Sequence, residues 1–220
     1  MRFPNAASGV KKIFTAEILA LISEILLIIA GFMVVVALAA TNTNGNESLA
    51  LGTLAGFAIF GFGATVIAVI AFILKIVGIS QASKDENSFK TAIICLIIGI
   101  VGSLVYSIFQ TSSPTVASIG NLIYQLMNLF VTIFVISGII KLADQLNDGV
   151  VSAKGSTLLK LITVIYALTI IANIIVLILG GYSVSIVAAI IYLIALILTV
   201  VQYFMYLAYL SNAKKMLAEK

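Results

Sequence analysis

The sequence has no histidine and no tryptophan, one cysteine, two prolines, and charge on only 9% of its 220 residues. Each shortage excludes something. Without histidine there is no imidazole base and no imidazole metal ligand. A single thiol, Cys95, makes neither an intrachain disulfide nor a thiolate cage for a metal. No serine has a visible base partner within the apolar runs, and no paired acids sit deep in them. No glycine-rich loop leads into a helix carrying a phosphate-binding lysine. The chain therefore reads as a protein without a catalytic signature, not an enzyme, with no cofactor and no metal.

The shortage of charge says most. Soluble domains carry about 25% charged residues, and this chain is instead 62% hydrophobic with a mean hydropathy of +1.25. A water-soluble globule of this size would lack the polar surface to cover itself. The apolar residues also come in long runs, and a bilayer core takes roughly 20 of them per helical span. Six spans follow, at about 18–40, 51–75, 91–109, 117–140, 157–179 and 185–209. The runs are rich in Ile, Leu, Val and Ala without the period-two alternation of a transmembrane barrel. An α-helix satisfies its backbone hydrogen bonds within one segment, as lipid requires. The predicted class is an all-α integral membrane protein, with six transmembrane helices in three sequential hairpins and a single domain over 1–220. Pro4 and Pro114 both lie outside the spans, so straight helices are expected.

Basic residues are missing from three stretches: "TNTNGNES" (41–48), "QTSSPTVAS" (110–118) and "GGYSVS" (180–185). All twelve lie elsewhere. Arg2, Lys11 and Lys12 precede the first span. Lys75, Lys84 and Lys90 lie at or between spans two and three, and Lys141, Lys154 and Lys160 at or between spans four and five. Lys214, Lys215 and Lys220 follow span six. With six alternating crossings, every one falls on the same side. Positive residues are retained in cytoplasmic loops, so both termini are expected in the cytoplasm, at the cell membrane. A signal peptide ending near "ALAATN" (37–42) would change this count, but the run before it is too long for one and Glu24 interrupts it. Asn46 with Ser48 matches an N-glycosylation acceptor on the outer side. The net charge of +4 forms no stripe and has no interleaved aromatics, so nucleic acid is not an expected partner.

The ends of the even-numbered spans echo one another: Ile79-Ser80-Gln81-Ala82, Ala143-Asp144-Gln145-Leu146 and Leu210-Ser211-Asn212-Ala213. Same-orientation repeats would be related by an axis along the membrane normal. The plainer explanation is that any helix leaving a membrane meets polar residues there.

Few residues remain to carry function. Glu24 lies inside an apolar run, seven residues after Glu17, so both point the same way on a helix. Intramembrane acids often mark ion or proton routes, while pairing with Lys75, Lys141 or Lys160 is the structural explanation. Span four carries Asn121, Gln125, Asn128 and Thr132 at one-face spacing. Span five adds Asn173 at a similar depth. Amides avoid lipid, so these side chains are expected to point into the bundle, as helix-to-helix bonds or as the lining of a polar pocket. Gln202 stands in span six beside Tyr203, Tyr206 and Tyr209, which read as an interfacial aromatic belt. In span two, "LGTLAGFAIFGFGA" (51–64) places Gly52 and Gly56 four apart, followed by Gly61 and Gly63. Small residues at that spacing let helices approach closely, and Gly99 and Gly102 offer a facing surface. The expected partners are the lipid bilayer and, through these glycines, a second copy or a larger membrane protein. The expected function is an accessory, scaffold or immunity-type membrane component. The alternative is a small-solute or ion transporter or channel using the polar cluster Glu24, Asn121, Gln125, Asn128, Asn173 and Gln202.

Overall fold

The computed structural model describes residues 2–44, 47–178 and 186–219, without the side chains of 40–44, 47–50, 114, 172–174, 176–178 and 186–188. Among these residues the regular structure is entirely α-helical, and six helices are long and apolar enough to cross a membrane. They are α1 (Pro4–Asn44), α2 (Glu47–Ala82), α3 (Asn87–Phe109), α4 (Pro114–Gln145), α5 (Gly149–Ile178) and α6 (Ile186–Glu219). Each predicted span maps onto one of them. The helices outrun the spans chiefly at the lysine-bearing ends, where α1 starts at Pro4 and α6 continues to Glu219. The glycosylation match at Asn46 and the stretch 180–185 lie outside the described residues.

Acids start all three odd-numbered helices. The first amides of a helix lack intrahelical acceptors and carry the positive end of its dipole, so a carboxylate there is favoured. Glu86 accepts from the Ser88 amide at the start of α3, and Asp148 accepts from the Val151 amide at the start of α5. For α1 the cap comes from a distant loop. Asp85 accepts from the Ala6 amide at 2.7 Å and from the Asn5 side chain at 2.9 Å. Arg2 donates to the Gln145 carbonyl in the last turn of α4, where a cation meets the negative end of the dipole. Losing a carboxylate cap costs about 1 kcal/mol. Asp85→Ala is expected to lower stability by that amount and to raise hydrogen exchange at the first amides of α1, with α5 unchanged.

Among the described residues, the α4 terminus holds the one non-glycine residue with positive φ. Asn147 has φ 54°. Its amide bonds to the Asp144 carbonyl and the Asp148 amide to that of Ala143, which is the paired-bond pattern that ends a helix through a left-handed residue. Asp148 then begins α5 at once.

The chain divides into two compact units, residues 11–78 and residues 1–10 with 79–220. In the first, α1 and α2 meet along small residues. Ala16, Ser23, Ala30 and Ala37 of α1 are buried at intervals of seven, as are Ala64, Ala71 and Gly78 of α2. Side chains this small let two helices approach closely. The Ser23 hydroxyl crosses the seam to the Ala64 carbonyl at 2.9 Å. Lys75 pairs with the buried Glu17 at 2.9 Å, and a Cβ on Gly56 would strike the Met33 sulfur. As α1 numbers rise, the α2 numbers they meet fall, so the two run antiparallel.

In the second unit, α3 lies antiparallel against α4. A Cβ on Gly120 would come within 2.7 Å of the Tyr106 nitrogen and 2.8 Å of the Gly102 carbonyl oxygen. Further along, Phe89 lies against Gly138, and Lys141 donates to Ser88 at 2.9 Å while pairing with Glu86 at 3.4 Å. Gly155 of α5 sits against Ile140 of α4 and the Tyr209 hydroxyl of α6. The large buried side chains of this unit, including Phe89, Ile136, Ile139, Leu142, Leu158 and Leu210, gather at its lysine-bearing end.

Candidate functional site

The residues singled out for function do not behave alike. On α4 the stripe is real but faces outward. Asn121 is half-buried, and Gln125 and Asn128 are exposed. Neither exposed amide side chain has a hydrogen-bond partner among the described residues. Thr132 turns back on its own helix and donates to the Asn128 carbonyl. The expectation that these amides point into the bundle is therefore not met for Gln125 and Asn128. The inward positions of α4 at this level go to Ala117 and Gly120, which receive α3. The Asn173 side chain lies outside the described residues. Gln202 is half-buried on α6.

Glu24 is exposed, and no ion pair holds it among the described residues. The buried acid is Glu17. Seven residues bring a helix back within about 20° of the same direction, so facing does not separate the two. Their opposite numbers do. The register that sets Lys75 against Glu17 and Ala64 beside Ser23 brings residues 63–68 of α2 to the level of Glu24, and that stretch has no cation. Lys75 and Lys141, two of the expected partners of Glu24, are taken by Glu17 and Glu86.

The tyrosines of α6 also depart from expectation. Tyr206 and Tyr209 are buried. The Tyr209 hydroxyl donates to the Ile136 carbonyl of α4 at 3.4 Å, so it joins helices where an interfacial belt was expected. Glycine roles are redistributed as well. Gly99 and Gly102 face Met127 and Gly120 of α4. Gly56 is packed against Met33, while Gly52 and Gly63 have nothing within 4 Å. Two span-two glycines therefore remain open on the surface of α2.

Some features were missed in the sequence. The seven-residue repeat of small residues on α1 and α2 is visible there and marks their seam. Gly120 pairs with Gly102 across the third connection, the two standing at similar distances from the turn between α3 and α4. Beyond these, α5 and α6 enclose a groove of about 350 Å³ at the lysine-bearing end, where Lys154, Thr157 and Asn212 give way to Leu158 and Met205 further in. Among the described residues, no three His, Cys, Asp or Glu side chains gather as a metal site would need. Comparison with protein-family models, with curated proteins and with solved structures finds no match.

Proposed function

We propose that this chain is a six-span membrane protein with cytoplasmic termini, acting as a non-enzymatic component of a membrane assembly. The lysine distribution supports the orientation, and the antiparallel contacts of α1 with α2 and of α3 with α4 fit successive hairpins. The observation that carries the assembly reading is the outward-facing pair Gln125 and Asn128. Carboxamides left facing hydrocarbon forfeit hydrogen bonds worth a few kcal/mol. A second membrane helix lying on α4 supplies them. Interhelical bonds of this kind contribute about 0.6–2 kcal/mol each, enough to bias association without making it permanent. Gly52 and Gly63, open on α2, offer a second close-approach face.

The test is native electrophoresis of membranes dissolved in a mild detergent. Wild type is expected to run as a complex larger than the 23.2 kDa chain. The double variant Gln125→Leu/Asn128→Leu, which removes no described contact of either side chain, is expected to run as the free chain. A monomeric wild type, or a double variant that migrates unchanged, sinks the assembly reading. Solute flux through reconstituted vesicles that the double variant abolishes, with association intact, would move the function to transport.

A further inference from the structure

The groove between α5 and α6 has a direction. At the end towards the connecting loops it presents Lys154, Thr157 and Asn212, and towards the middle of the helices it presents Leu158 and Met205. Helical spacing places Lys215 on the same α6 face, one turn beyond Asn212. Lys154 and Lys215 are both exposed and have no ion pair among the described residues. Glu219, further out on α6, forms no ion pair with either lysine among the described residues. Lys154 lines the groove, Lys215 stands at the same end by spacing, and among the described residues no acid lines it, so its polar end is positive.

A cationic, hydrogen-bonding end grading into an apolar slot is the negative image of one kind of molecule. We propose that this groove binds an anionic phospholipid, with the phosphate-bearing headgroup at Lys154 and Lys215 and the upper part of one acyl chain along Leu158 and Met205. The inference rests on the membrane reading given above and goes beyond it. The Asn212 carboxamide donates to a phosphate or glycerol oxygen. The Thr157 hydroxyl already gives its hydrogen to the Ala153 carbonyl at 3.0 Å, so its oxygen is left to accept, and a headgroup hydroxyl is the complementary donor. Basic pockets between helices on the cytoplasmic side recognise anionic headgroups in this manner. A zwitterionic lipid fits the apolar part equally well but brings its own cation to the lysines, so the selectivity lies in the headgroup.

The experiment uses the full-length chain, purified in detergent and offered phosphatidylglycerol and phosphatidylcholine of identical chains, with retained lipid read by native mass spectrometry. One lysine near a lipid phosphate is worth about five-fold in affinity. Wild type is expected to prefer the anionic lipid by about 25-fold, the product of two such lysines. Lys154→Gln should cut that preference about five-fold, and Lys154→Gln/Lys215→Gln should abolish it. Lys160→Gln, on the same helix but not lining the groove, should change nothing. Met205→Trp, which fills the slot, should lower retention of both lipids while leaving the helical content intact. Headgroup indifference in wild type, or an equal loss in Lys160→Gln, overturns the site while the membrane reading stands. A chain that alkaline carbonate strips from membranes overturns both.

Discussion

Lys75→Met is expected to destabilise the protein by about 3 kcal/mol, and adding Glu17→Gln to restore most of the loss. Glu17 is buried and its side chain is 8% exposed, against 22% for Lys75. Removing one member of such a pair strands a buried charge, which costs about 3–5 kcal/mol, whereas replacing both members is often near neutral. Partial exposure of Lys75 puts the effect at the low end. Denaturant titration of the two single variants and the double, in one detergent, gives the coupling directly. Additive losses would mean that the ion pair is incidental. Glu24→Gln serves as the contrast. Its carboxylate is exposed and touches no described cation, so the same titration should scarcely move.

That contrast marks what the sequence could and could not convey. The six helices were legible because length and apolar content are properties of single segments, and lipid-length runs leave little ambiguity. The partner of an acid is a property of two segments. Glu17 and Glu24 share a helix direction, and only the offset between α1 and α2 decides which of them meets Lys75. The offset was itself encoded, in the small residues at 16, 23, 30 and 37 and at 64, 71 and 78, but it becomes readable only when the two series are laid against each other. The amides of α4 misled for a related reason. Their one-face spacing is correct, but which face of α4 is covered depends on where Gly102 and Gly120 let α3 approach.

Gly120→Val is the second large effect. The added side chain would press on backbone atoms of α3, with the Tyr106 nitrogen 2.7 Å and the Gly102 carbonyl oxygen 2.8 Å from its Cβ. Backbone cannot rotate aside as a side chain can, so the helices must separate over that level. Overpacking of this kind costs about 1–3 kcal/mol, and contact with main chain places the expected loss near the upper figure. Gly52→Val, at a glycine with nothing within 4 Å, should leave monomer stability nearly unchanged. Thermal unfolding of the two variants side by side separates them. Equal shifts would show that the α3–α4 seam tolerates separation, and that glycine at 120 is unnecessary.

The carboxylate at position 85 imposes a schedule on synthesis. The opening turn of α1 is made before its acceptor, which follows 79 residues after Ala6. Until then those leading amides have only water or lipid headgroups to bond. The start of α1 is thus completed late, only after the whole of α2 has been made. An insertion machine that released the first helix early would release it unfinished.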